Sequence, residues 1–187
     1  SNASTGELRL NEQNCDLGAI LSAVAGLQFP TTDAAAKTVT LRDTVMLDTL
    51  HVDAEQIELA VTALVLNAVM HGGTDISLET FQDMDGNIEI SVRDNGSFDE
   101  HVELAELYKP LVVGGSLDHR ATKGGLGLGL PLTRKLVEMH GGDFEVHAEA
   151  DHSRAVIRLP AWRCKTAMIQ AAKMAPATVP DARQKLI

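Results

Sequence analysis

The sequence predicts a layered domain of the α/β or α+β class. Stretches with apolar residues at helical spacing alternate with stretches at strand spacing, and helix-capping residues and glycine pairs punctuate them. The 187 residues suit one compact domain with a terminal extension. Ser1-Asn2-Ala3, with no initiator methionine, reads as the scar of a removed tag. The domain is therefore sought over residues 4–162, and a longer parent protein is expected.

Each element has a local reason. Asp16 is placed to cap a helix running to about Leu27, with Leu17, Ile20, Leu21 and Val24 on one face. Strands are expected at Thr38 to Arg42 and near Thr49 to Val52. Asp53 caps a long helix that reaches His71 and is closed by Gly72-Gly73. Ile57, Val61, Leu64 and Ala68 form its core stripe. A second stripe, Gln56, Ala60, Ala63, Asn67 and His71, is small or polar, and its two alanines leave room for a ligand. Ile76 to Phe81 and Ile88 to Arg93 read as a hairpin, the second strand alternating Ile88, Ile90, Val92 against Glu89, Ser91, Arg93. Residues 95–123 hold no sustained period, and a loop of that length in a compact domain is usually functional or mobile. A helix from about Gly127 to His140 and strands Phe144 to Ala148 and Ala155 to Leu159 complete the domain near Pro160. The tail 163–187 sets five basic residues (Arg163, Lys165, Lys173, Arg183, Lys185) against Asp181, a net of +4. Its Met168, Ile169 and Ala172 suit a short amphipathic helix docked on the acidic body, or a frayed solvated tail.

Composition excludes several classes. A formal net charge of -10 repels phosphate backbones, so nucleic acid is not an expected partner. No apolar run approaches the roughly 20 residues that span a bilayer, and no signal peptide is visible. Cys15 and Cys164 lie too far apart in sequence to suggest a zinc knuckle or a redox pair. The expected location is the reduced interior of the cell.

Three features bear on chemistry. Asn67 and His71, four residues apart, project together from the second stripe of the long helix; alone, the pair reads more simply as an ordinary helix C-terminal turn. Asp94-Asn95-Gly96 follows the alternating strand, where a carboxylate can hold a hydrogen-bond donor while glycine turns the backbone beneath it. Turns of that composition are common. Lys123-Gly124-Gly125-Leu126-Gly127-Leu128-Gly129-Leu130 opens a helix, so consecutive amides and the helix N-terminus can face an anion. The run is neither a P-loop, since Leu130-Pro131 follows Gly129, nor a dinucleotide fingerprint, since a long loop precedes it in place of a strand. There is no Gly-x-Ser-x-Gly elbow and no metal spacing among the histidines.

In this order the pieces resemble the ATP-binding domain shared by sensor histidine kinases, gyrase, Hsp90 and MutL. They look most like the catalytic domain of a bacterial sensor histidine kinase. The similarity runs from about Cys15 to Pro160 and rests on Leu66-Asn67-Ala68-Val69-Met70-His71, Val92-Arg93-Asp94-Asn95-Gly96, Leu107-Tyr108-Lys109-Pro110-Leu111, Gly125-Leu126-Gly127-Leu128-Gly129-Leu130 and His140-Gly141-Gly142. The resemblance implies a Bergerat-type two-layer α/β sandwich, about three helices on one face of a mixed sheet, with a long ATP lid over residues 97–124. It implies ATP and Mg²⁺ as ligands. Asn67 would bind the metal, Asp94 the adenine amino group, Gly96 would pass close to the base and His71 would sit against the nucleotide. Gly125, Leu126, Gly127, Leu128 and Gly129 would wrap the phosphates, with Arg120 and Lys123 as lid contacts, and Tyr108 and Leu111 would anchor the lid. The γ-phosphate would go to a histidine on a separate dimerisation domain, with a response regulator as indirect partner. The fragment would be cytoplasmic, the parent being free to carry a membrane anchor.

Departures from the family pattern are specific. Phe98 stands where a further glycine is usual, Ala63 where Asn is frequent, and Met70 where Lys or Arg is. Gyrase-like relatives carry a general-base Glu at the position of Ala63, so its absence favours transfer to a side chain over hydrolysis by water. Two other readings stay open: a serine-kinase anti-sigma factor, and a non-catalytic interaction module of the same fold.

Overall fold

The computed structural model describes residues 9–27, 37–43, 45, 49–71, 73–96, 129–148 and 151–165. Five strands form a mixed sheet: β2 (Thr38–Arg42), β4 (Asp75–Gln82), β5 (Ile88–Asp94), β6 (Asp143–Ala148) and β7 (Ser153–Leu159). Their order is β2-β4-β5-β7-β6, with β2 parallel to β4 and every other pair antiparallel. The period-2 pattern puts Ile76, Leu78, Ile88, Ile90, Val92, Ile157 and Leu159 into one core. Three helices among the described residues supply its other half: α1 (Leu17–Ala25), α2 (Ala54–His71) and α3 (Leu130–Met139). The fold is thus the expected two-layer α/β sandwich.

Caps fix the helices as their sequences suggest. The Asp16 carboxylate accepts the Ala19 amide at 3.1 Å, and Asp53 accepts the Gln56 amide at 3.1 Å. The third helix begins at Leu130, three residues later than the glycine run suggests. Gly129 is its extended N-cap, and Pro131, which lacks a donor, takes a first-turn position where none is needed. Gly141 follows its end at φ 74°, the left-handed conformation that terminates helices.

A second, small sheet has no local signature. β1 (Gln13–Cys15), β3 (Thr49–Val52) and β8 (Cys164–Lys165) pair in the order β1-β3-β8, antiparallel throughout. Residues 163–165, assigned from sequence to the tail, are therefore part of the folded body, joined to it by the 3-10 turn Ala161–Arg163. The strand register sets Cys15 and Cys164 on either side of Leu50. Burial pushes the Cys164 thiol up to about 11.

This sheet closes over a buried polar hub at the N-terminus of α2. His140 Nε2 accepts the Asp53 amide at 3.1 Å, and Nδ1 lies 2.7 Å from the Leu136 carbonyl, which assigns the ring proton to Nδ1. Asp53 Oδ2 accepts the Asn11 amide at 2.8 Å. The buried Arg163 guanidinium donates to the His140 carbonyl, to the His51 carbonyl at 2.8 Å and to Glu12 Oε1 at 2.7 Å. Burial holds the His140 ring below its usual range, and the Arg163 hydrogen bond holds Glu12 below the usual carboxylate range.

Candidate functional site

At the other end of α2 a cleft opens between the layers. It is lined by Leu64, Asn67 and Ala68 of α2, Val92 and Asp94 of β5, Leu130 of α3, Val146 of β6, and Ser153 and Ala155 of β7. Asp94 ends the alternating strand with its side chain on the helix-facing side, and it is only 7% exposed. A buried carboxylate is costly unless hydrogen-bonded, and this one has three donors. Oδ1 accepts the Gly96 amide at 2.8 Å and the Gly73 amide at 3.3 Å, and Oδ2 accepts the Ser153 hydroxyl.

The lone pairs of Asp94 and Ser153 determine what a ligand meets there. Among the described residues, both acceptor positions of Oδ1 are taken and Oδ2 keeps one. The Ser153 oxygen spends its proton on Asp94 and keeps its own lone pairs beside the cleft. Among the described residues the floor, Asp94 and Ser153, therefore presents acceptors and no donor. Such an edge suits an exocyclic amino group and repels a carbonyl oxygen.

The surrounding turn is clamped. Asn95 Oδ1 accepts the Asp75 amide at 3.0 Å, and the Asn95 amide donates to the Asp75 carbonyl at 3.3 Å. A β-carbon at Gly73 would stand 1.9 Å from Asn95 Oδ1, so this position must be glycine for the amide to reach Asp94. Gly73 is thus more than a helix stop. Neither Gly73 nor Ser153 is a site residue by sequence pattern. Ser153 becomes one through the strand register, which sets it directly opposite Asp94.

Asn67 is half-buried at the cleft, and its side chain makes no hydrogen bond to the described residues. The α2 residues that line the cleft beside it are Leu64 and Ala68. Ala60 and Ala63, which sequence spacing offers as ligand room, are instead buried, Ala63 being 2% exposed. Leu130, the first residue of α3, brings that helix's N-terminus to the cleft. Pro131 has no amide hydrogen and the Leu132 amide donates to the Gly129 carbonyl at 3.0 Å, so of the first three amide positions only Leu130 offers a donor without an intrahelical partner. Gly129 caps it. Arg120, Lys123, Gly125, Leu126, Gly127, Leu128, Phe98, the Tyr108 and Leu111 anchor and the side chain of His71 lie outside the described residues. Among the described residues no three His, Cys, Asp or Glu side chains group as a metal site, and no helix is long and apolar enough to cross a membrane.

Known proteins share this fold. A solved structure of full-length ShkA in complex with AMPPNP superposes with a TM-score of 0.66 at 20% identity, covering 86% of this chain and 32% of that one. The nucleotide-free catalytic domain of the histidine kinase ThkA gives 0.61 at 20% identity, covering 82% and 97%. In sequence, the alginate biosynthesis sensor protein KinB of Pseudomonas aeruginosa is 30% identical over 151 residues, 80% of this chain and 24% of KinB. Sensor histidine kinase ZraS of Klebsiella oxytoca is 28% identical over 144 residues, 74% of this chain and 29% of ZraS. The chain thus spans about a quarter of the length of these relatives. The family model for histidine kinase-, DNA gyrase B- and HSP90-like ATPases matches residues 52–163, from the end of β3 through the buried Arg163. The chain belongs to that ATPase family.

Proposed function

We propose that this chain binds Mg-ATP and serves as the catalytic half of a sensor histidine kinase, presenting the γ-phosphate to a histidine on a separate dimerisation domain. The observation that carries the reading is the acceptor-only floor made by Asp94 and Ser153. Adenine offers an amino group there, whereas guanine offers a carbonyl oxygen and would meet two acceptors. With Oδ1 already filled by Gly73 and Gly96, the carboxylate has no pair of free oxygens for guanine's two donors.

The remaining residues fit the other end of the nucleotide. Asn67 supplies an amide oxygen that has no partner among the described residues, a hard ligand suited to Mg²⁺. In the absence of a carboxylate cage among the described residues, the cation would take most of its ligands from phosphate and water. When bound, Mg²⁺ supplies charge neutralisation on the phosphates. The α3 N-terminus faces the same space, and Arg120, Lys123 and residues 125–128 are proposed to wrap the phosphates from the lid. His71 is proposed to sit against the nucleotide. The buried Ala63 offers no general base for water, which favours in-line attack by a partner's histidine nitrogen over hydrolysis. The partners are then the histidine-bearing dimerisation domain and, through it, a response regulator, in a cytoplasmic setting.

Calorimetric titration with ATP, with and without Mg²⁺ and with GTP as control, tests the reading. Mg-dependent, adenine-selective binding is expected. Asp94→Asn should weaken ATP about 10- to 100-fold, the worth of one hydrogen bond to a charged group, and blur adenine from guanine. No binding at millimolar ATP would overturn the proposal in favour of a non-catalytic module.

A further inference from the structure

The last turn of α2 is held by a residue outside both the nucleotide motifs and the cleft lining. In an α-helix each carbonyl takes the amide four residues on, so the Val69 carbonyl would ordinarily receive Gly73 as the helix closes. The Gly73 amide is instead spent on Asp94 Oδ1 at 3.3 Å. Lys37 supplies the missing donor: its Nζ ammonium donates to the Val69 carbonyl. A cation is the favoured group at that end of a helix, where the backbone dipole is negative. Lys37 is half-buried, and its backbone is tied to the same turn. The amide of the next residue, Thr38, donates to the Thr74 carbonyl at 3.3 Å, and β2 starts there in register with β4, Thr38 opposite Asp75.

The turn can be satisfied in two ways. With Lys37 on the Val69 carbonyl, the Gly73 amide is free to leave α2. It then holds Asp94 Oδ1 together with the Gly96 amide at 2.8 Å, which leaves Oδ2 to Ser153 and the cleft. Without Lys37, the Gly73 amide is the donor that helical geometry returns to Val69, and Asp94 loses one of the two bonds that fix Oδ1. We infer that Lys37 is a positioning residue for base recognition: by capping the Val69 carbonyl it frees the Gly73 amide to orient the Asp94 carboxylate. The consequence for adenine rests on the proposed reading of the cleft; the orientation of Asp94 does not. No motif marks Lys37 for this role, since it stands 32 residues before Val69 and the contact is made only by the fold.

The Gly73 amide proton reads this arrangement directly in nucleotide-free protein, by proton–nitrogen correlation NMR. In the parent its resonance should move on Asp94→Asn. In Lys37→Met it should leave its parental position and no longer respond to Asp94→Asn, and Lys37→Arg, which keeps a cationic donor, should restore the parental behaviour. In calorimetry Lys37→Met should weaken ATP about fivefold and lower the preference for ATP over GTP by the same factor, the worth of one hydrogen bond. Added to Asp94→Asn it should weaken ATP by much less, since both changes act through one carboxylate. A cap that only stabilises the helix would lower the melting temperature of Lys37→Met and leave the Gly73 response and the nucleotide preference alone; that result would overturn the inference. An equal loss of ATP and GTP would also overturn it, being the mark of a direct phosphate contact. If the parent itself shows no adenine preference, the reading of the cleft fails, and the Gly73 response still decides whether Lys37 positions Asp94.

Discussion

The two ends of helix α2 are built to opposite rules. At its N-terminus the ionisable groups are partnered within the chain: Asp53 caps Gln56 and takes the Asn11 amide, His140 takes the Asp53 amide, and Arg163 is spent on two carbonyls and Glu12. At its C-terminus, among the described residues, Asn67 has no side-chain partner and Asp94 Oδ2 is engaged by Ser153 alone. One end is bonded mainly within the chain, and the other is where the proposed nucleotide would bind. Stability should therefore respond to changes at the first end, and nucleotide affinity to changes at the second.

The sharpest test of that division is Asn67→Ala, expected to abolish Mg-dependent ATP binding in calorimetry while leaving the melting temperature unchanged. A variant that lost both would show that the cleft also supports the fold. Arg163→Met is the reverse case. It strands two carbonyls and Glu12, and should cost about 3 kcal/mol, or roughly 10 °C in melting temperature, with little change in ATP affinity of the folded fraction. A matching loss of affinity would mean that α2 transmits strain along its length.

Smaller effects refine the comparison. Ser153→Ala should weaken ATP by roughly fivefold, the worth of about 1 kcal/mol, and lower the preference for ATP over GTP. Equal preference before and after would remove Ser153 from base recognition. The hub should also titrate. His140 is held below its ordinary 6.5 by burial, so the unfolded chain takes up this proton first. Stability is then fully present above about 6.5 and is lost as pH falls from there toward the folded value. Urea midpoints should decline on mild acidification, and His140→Gln should flatten the decline. Glu12 is depressed from 4.5, so its own loss belongs to more acid solution and does not obscure the effect.

Much of the fold was legible because it was locally encoded. Asp16 and Asp53 cap where capping residues should, and the alternation of Ile88, Ile90 and Val92 reports a sheet with one covered face. What escaped was non-local. β1 and β8 are three and two residues long, too short for any period, and exist because β3 pairs with both. Arg163 looked like the first residue of a basic tail because nothing near it in sequence announces Glu12 or the His140 carbonyl. The same holds for the cleft. Asn67 and Asp94 sit in readable motifs, whereas Ser153 is 59 residues from Asp94 and Gly73 looked like helix punctuation. Helix α3 starts later than its glycine run suggests because Pro131, and not the glycines, marks the first turn.

The placing of the two cysteines has a practical consequence. Each faces Leu50 from an adjoining strand, so their α-carbons stand about 10 Å apart, too far for a disulfide while β3 lies between them. Oxidation can link them only after that centre strand has left. A covalent Cys15–Cys164 bond would thus be a permanent record of a brief opening, and its rate of formation would serve as a clock for how often the small sheet comes apart.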